Sequence, residues 1–275
     1  MTVQPGMNLA GRQAAGTSAA GRGLGFAYLA LCYAFIFLPV IVLVLFSFQG
    51  GGLPVPPFNG PSLRWYEAAF NDGRLVDGFL NSLLVSGLSS ALSVLIGFLA
   101  AYGIARYEFP FKRAIQALVI LPLAVSYLLI GMGLLVSSSW LGFGPALWIV
   151  IIGHVVINMP LAFAICLAQL GEHQRRIEYA ARDLGASTLR VLISITAPMI
   201  APALIAAFCL CFTLSWDETL IALLNTRFEV TLPVVILSLM RGGINPETNA
   251  AGSFIFLCSI LLMIVVELSL LRRRR

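Results

Sequence analysis

Few side chains in this sequence could do chemistry, and they fall in three places. Trp216, Asp217 and Glu218 are consecutive at the end of a long apolar run. Carboxylates pair with ammonium groups and an indole face attracts cations, so the trio suits a cationic amine. An ordinary span end, with the indole in the interfacial belt and the acids in water, fits the same residues. His154 stands alone in another apolar run with no acid nearby in sequence; it reads as a hydrogen-bonded core histidine, with a proton relay as the functional alternative. The third place is residues 169–190, QLGEHQRRIEYAARDLGASTLR, 22 residues that hold seven of the chain's 29 charges. Helix-forming and polar, with a central Gly-Ala-Ser break, this stretch must lie in water between two apolar runs. It suits docking of a soluble partner rather than bond-making.

Other chemistries lack their parts. Cys32, Cys166, Cys209, Cys211 and Cys258 all fall inside apolar runs, and no His or acid accompanies them. They read as buried thiols packing as small hydrophobes, without a metal site or disulfide. The single lysine, Lys112, follows Phe111, so no Gly-x-x-x-x-Gly-Lys-Ser/Thr nucleotide loop can exist. No Ser/His/Asp set or paired carboxylate suggests catalysis, and no cofactor is implied. If ATP drives this protein, another polypeptide hydrolyses it.

The elements that must position these residues are membrane spans. Hydrophobic residues make up 59% of the 275 and charged ones 11%, against about 25% charged in soluble domains. Residues 26–48, 79–105, 114–171 and 191–216 carry no charge at all. A helix needs roughly 20 apolar residues to cross the hydrocarbon core. The longest run divides at 137–145, SSSWLGFGP, a turn signature. The expected fold is therefore all-α, with six transmembrane helices near 26–48, 79–105, 114–136, 146–168, 191–216 and 249–271. The first stands apart, and 79–271 form a five-helix core. Thr231 to Met240 is too short to span and reads as an interfacial or re-entrant helix.

Basic residues orient the spans. With the N-terminus inside, 13 Lys and Arg fall on the cytoplasmic side and four (Arg64, Arg74, Arg227 and Arg241) outside. That is a positive-inside pattern with both termini cytoplasmic. The net charge of +5 is a topology signal and implies no nucleic-acid partner. Residues 1–25, rich in Gly, Ala and Ser, read as a disordered leader. They are not a cleavable signal, because the apolar run after them is too long for one. Residues 272–275 form a basic tail, toward which Glu267 would snorkel.

Small residues at a spacing of four, Ser89, Ser93, Gly97 and Ala101, form a close-packing face on the second span, with Ser82, Ser86 and Ser90 beside it. Pro39, Pro122, Pro160 and Pro202 interrupt spans one, three, four and five. Each removes a backbone hydrogen bond and is tolerated only beside protein or a watery cavity.

Residues 178–198, EYAARDLGASTLRVLISITAP, resemble the cytoplasmic coupling loop of ABC importer permeases. That pattern runs Glu-Ala-Ala, three residues, Gly, nine residues, Ile, one residue, Leu-Pro. Anchored on Gly185, it matches Ala180, Ala181, Gly185, Ile195 and Pro198. Tyr179 stands where the Glu is expected and Ala197 where the Leu is. Glu178 precedes by one residue, about 100° around a helix. A carboxylate contact to the ATPase would therefore need Glu178 to act from a rotated position. The bare surface at 180 and 181 suits a groove on another protein, and Gly185 permits a sharp turn between two short helices.

The resemblance extends over roughly 60–271. SLRWYEAAF at 62–70, Asn81-Ser82, ARYEFPFK at 105–112, FTLSWDETLIA at 212–222 and TLPVVILSLMRGGINP at 231–246 look like the spermidine/putrescine group of permeases. It implies a MetI-like permease core in the bacterial inner membrane, pairing with a second, paralogous permease subunit. The further partners implied are an ATP-binding ABC ATPase dimer and an external substrate-binding protein. The expected substrate is a polyamine, spermidine or putrescine; relatives of the group also carry other amines, opines, phosphonates or ferric iron, so another small cation, thiamine-like, or an amino-acid derivative is the alternative. An ion-coupled secondary transporter would need strongly polar mid-membrane groups, for which His154 is the one candidate.

Overall fold

Long apolar stretches with few internal breakers favour helices whose backbone bonds are satisfied within the segment, as lipid requires. The computed structural model describes residues 19–52, 56–243 and 246–272, and these contain thirteen α-helices. They are α1 (Ala19–Ser47), α2 (Arg64–Asn71), α3 (Gly73–Arg106), α4 (Lys112–Ile120), α5 (Tyr127–Trp140), α6 (Leu147–Gln169), α7 (Glu172–Asp183), α8 (Thr188–Val191), α9 (Ala197–Met199), α10 (Ala201–Trp216), α11 (Leu220–Asn225), α12 (Leu232–Arg241) and α13 (Pro246–Arg272). Residues 19–25, expected in the leader, are the first turns of α1; residues 1–18 and 273–275 lie outside the described residues.

Among the described residues, three helices are long and apolar enough to cross a membrane: α1 from residue 25, α3 and α6. Two bent pairs bring the number to five if each is one span. The sixth expected span falls on α13, many of whose later side chains lie outside the described residues.

The bends correct the expectation of simple spans at 114–136 and 191–216. The first pair turns by 102° between 112–124 and 127–140. A 3₁₀ turn at Leu121–Ala124 opens with Pro122, and Val125 and Ser126 are extended, so the helical hydrogen bonding stops and restarts. The second pair bends by 76° between 188–199 and 201–216. Here a π-helical stretch, Leu192–Thr196, precedes Pro198. Ile200 leaves helical geometry, and Pro202 opens α10. Pro39 and Pro160, by contrast, lie inside unbroken helices.

α3, α6 and α10 make the centre. Ser82, Ser86, Ser89, Ser90, Ser93, Gly97 and Ala101 are all buried, which fits the packing face read from their spacing. A Cβ on Gly97 would come within 2.7 Å of the Phe163 backbone nitrogen, so α3 and α6 touch through backbone. One apolar cluster, with Tyr102, Phe163, Cys166 and Leu170, fills the α7 end; another, with Leu75, Phe212, Trp216, Leu232 and Val235, fills the opposite end. α1 packs along α13 at the periphery and leaves Phe26, Leu31 and Phe35 exposed. α12, the ten-residue helix expected as interfacial or re-entrant, buries Leu232, Val234 and Val235 against the rest of the fold. Cys166 and Cys211 are buried and Cys32 and Cys209 half-buried; Cys258 has no described side chain.

Candidate functional site

The polar stretch becomes a helix–turn–helix at one end of the bundle. α7 ends in a Schellman turn: the Ala186 N–H donates to Ala181 O at 3.1 Å and the Gly185 N–H to Arg182 O at 2.8 Å. Gly185 sits at φ +87°, where only glycine is unstrained. Two residues later Ser187 caps α8, accepting from the Arg190 N–H at 3.4 Å. The Gly-Ala-Ser break is thus a helix stop followed by a helix start. Ile195 lies in the π-helical stretch, half-buried, and Pro198 is exposed at the start of α9.

The faces of α7 divide sharply. Glu178 is 1% exposed and points into the protein, whereas Tyr179 and Ala180 face out and Ala181 is half-buried. Leu184, at 91% exposed, stands at the tip of the turn. The Arg175 Nε–H donates to the Tyr179 hydroxyl at 3.1 Å, one turn away, which holds the ring on the surface. Position 178 therefore offers its carboxylate to the interior. Arg106, at the end of α3, donates to it through Nε at 2.7 Å and Nη2 at 3.0 Å, and the Thr196 hydroxyl donates at 3.0 Å. Arg182 reaches back similarly, its Nη2 donating to the Tyr102 hydroxyl at 2.9 Å.

At the opposite end, the consecutive residues Trp216, Asp217 and Glu218 do not share one surface. Trp216 is 6% exposed, stacked on Phe212 with centroids 5.9 Å apart and edge-on to Phe79 at 5.6 Å. Glu218 is 5% exposed; its carboxylate accepts from the Leu220 and Ile221 N–H groups at 2.8 to 3.1 Å, closing the start of α11. Asp217 alone of the three is exposed, because the chain leaves α10 there and each residue takes a different direction.

The spacing of residues gave no sign of the partner that Glu218 finds. His154, wholly buried on α6, lies with Nε2 3.2 Å from Glu218 Oε2 and Nδ1 2.6 Å from Ser215 Oγ; Ser215 in turn is 3.0 Å from Ser89 on α3. The imidazole thus bridges the carboxylate and the Ser215 hydroxyl, one ring nitrogen to each, with the donor and acceptor roles set by its tautomer. The core-histidine reading fits this geometry. The only signal available in the sequence was that His154 and Glu218 are ionisable groups flanked by apolar runs. Asn225, the last residue of α11, is also wholly buried, with Nδ2 donating to Gly131 O at 3.1 Å. No cluster of three or more His, Cys, Asp or Glu could hold a metal among the described residues.

Residues 93–274 match the family described as the binding-protein-dependent transport system inner membrane component. The spermidine/putrescine transport system permease protein PotC of Haemophilus influenzae is 28% identical over 213 residues, covering 77% of this chain and 82% of that one. The putrescine transport system permease protein PotI of Escherichia coli is 32% identical over 223 residues, covering 77% and 78%. Among solved structures, a bacterial ABC transporter that imports the acidic polysaccharide alginate superposes with a TM-score of 0.71 at 18% identity, over 90% of this chain and 95% of that one. The MetNI methionine ABC transporter gives 0.60 at 14% identity, over 71% and 94%. At such identities the likeness speaks for the fold.

Proposed function

Because the chain belongs to the binding-protein-dependent transport inner membrane components, we propose that it is the polyamine-carrying permease of an ATP-driven importer. The coarser part of this follows from the family: it is a multi-pass inner-membrane permease subunit, not catalytic, working with an ATPase and a periplasmic binding protein. The finer part is our reading. Six spans leave both termini in the cytoplasm, and a second, paralogous permease completes the pore. The α7–α8 hairpin (Tyr179, Ala180, Ala181, Gly185) enters a groove on the ATPase, with Ile195 and Pro198 leading into the broken fifth span. Substrate is spermidine or putrescine, received near Asp217.

The observation that carries the polyamine assignment is the resemblance to the PotC and PotI permeases over 77% of the chain. Asp217, an exposed acid at the end of α10, supports it chemically by offering a fixed negative charge to an ammonium group. Glu218 and Trp216 support that end from within, as a helix cap and a stacked ring.

The test is reconstitution of the permease pair with its ATPase and binding protein in proteoliposomes. Uptake of labelled spermidine that requires both ATP and the binding protein is the expected result. ATP-dependent uptake of an opine, a phosphonate or a thiamine-like cation in place of spermidine would move the substrate and keep the machine. Uptake driven by an ion gradient without ATP would overturn both and turn attention to His154 and Glu218.

A further inference from the structure

Arg106 is the last residue of α3, yet its guanidinium bonds only to segments remote in sequence. Nε and Nη2 grip the two oxygens of Glu178 on α7, and Nη1 donates to Leu170 O, at the end of α6, at 3.1 Å. Thr196, in the π-helical stretch before α10, donates to the same Glu178 carboxylate. One ion pair, 5% and 1% exposed, therefore joins α3, α6, α7 and the entry to α10.

The covalent chain ties α7 to α6 on one side and to α8 and α10 on the other. α3 has no such tie. Its polar contacts with α7 are the Arg106–Glu178 pair and the Tyr102–Arg182 hydrogen bond. Packing alone does not call for charge at this place, since buried ion pairs can be replaced by apolar residues of similar volume at little or no cost in stability. What a two-pronged guanidinium–carboxylate pair adds is orientation: two parallel bonds fix both position and rotation. Arg106 and Glu178 together define the angle at which α7 lies across the end of α3.

We propose that Arg106 is a positioning residue for transport, locking α3 to α7 so that a push on the exposed face of α7 moves α3 with it as one body. This rests on the reading of α7 as the ATPase-docking helix. The exposed residues Tyr179, Ala180 and Leu184 receive the push. Glu178, about 100° around the helix from Tyr179, passes it inward. α3 carries the buried serine face and Gly97 against α6, so its displacement reaches the centre of the bundle.

The experiment uses the assembled transporter in a cysteine-free background, with spin labels at Tyr107 and Ile177, both exposed and flanking the pair. The distance between labels is measured in the nucleotide-free and ATP-trapped states, beside spermidine uptake per ATP hydrolysed. Co-purification of the ATPase with the unmutated permease is the control for the docking reading, and its failure would remove that reading independently. With docking intact, the label distance should be the same in both states. Glu178→Gln should make it differ between states, and uptake per ATP should fall about tenfold or more at normal complex yield. Arg106→Lys, which keeps the charge but loses the fork, should lie between. A label distance that changes with nucleotide in the unmutated protein overturns the proposal. So does Glu178→Gln with uptake per ATP unchanged, or a loss explained entirely by fewer assembled complexes.

Discussion

His154 and Glu218, 64 positions apart in sequence, meet at 3.2 Å between Nε2 and Oε2, both buried within the helix bundle. The contact fastens α6 to the junction between α10 and α11. The same carboxylate satisfies the first N–H groups of α11, so one side chain serves a tertiary pair and a helix cap together.

Removing Glu218 should therefore cost stability first. Glu218→Ala loses the cap, worth about 0.5–2 kcal/mol, and leaves a buried imidazole nitrogen without its partner, worth about 1–3 kcal/mol. Thermal unfolding in detergent should show a lower midpoint for Glu218→Ala than for Glu218→Gln. His154→Ala and Glu218→Ala together should cost less than the sum of the two, since they share one contact. Additive losses would mean that the contact carries no energy.

The topology prediction uses positions that the fold leaves accessible. Cysteines at Asn59 and Phe228, both exposed, should react with an impermeant thiol reagent from outside intact cells. A cysteine at Ser187, in the turn before α8, should react only after the membrane is opened. Labelling at Ser187 from outside would reverse the orientation and remove the docking argument with it.

The apolar runs were legible because hydropathy over 20 or so residues is a local property. Their breaks were not. Four prolines marked four spans, yet only Pro122 and Pro202 stand at bends, where each opens a new helical segment; Pro39 and Pro160 are absorbed within α1 and α6. A proline suits the first turn of a helix and also survives in the middle of one beside packed neighbours. Sequence alone does not choose between these. The turn between α7 and α8 was legible for the opposite reason: Gly185 at positive φ and Ser187 as a cap are local devices with local signatures. Arg106 and Glu178, 72 residues apart, and His154 with Glu218 are joined by tertiary contacts alone. Arg106 counted in the sequence only as a basic residue at a span end. Glu178, one position before the expected docking acid, is turned inward by the fold.

Gly185→Pro should abolish transport while the protein remains in the membrane. Proline holds φ near −65°, far from the +87° found here, and lacks the N–H that Gly185 donates to Arg182. Gly185→Ala should be milder, costing about 1–2 kcal/mol for the left-handed backbone. Ala181→Asp places charge on a half-buried position of α7 and, if α7 docks on the ATPase, should release it on co-purification. Retained ATPase and normal uptake in both Gly185→Pro and Ala181→Asp would show that this hairpin is not where force enters.

The two neighbouring acids at the end of α10 should separate by mechanism. Asp217 is exposed and Glu218 buried in its cap. If a cationic amine is received at this end, Asp217→Asn removes a charge that faces it without disturbing a buried contact. A charge-assisted hydrogen bond is worth about 1.5–3 kcal/mol, roughly ten- to a hundredfold if felt fully in the transport step. Spermidine uptake should fall within that range at unchanged complex yield, unchanged thermal midpoint and unchanged affinity of the binding protein. Glu218→Gln should instead lower uptake only as far as it lowers stability, because its oxygens are committed to α11 and His154. Asp217→Asn with full spermidine uptake would leave that residue a solvated span end, and the polyamine assignment would then rest on the likeness to PotC and PotI alone.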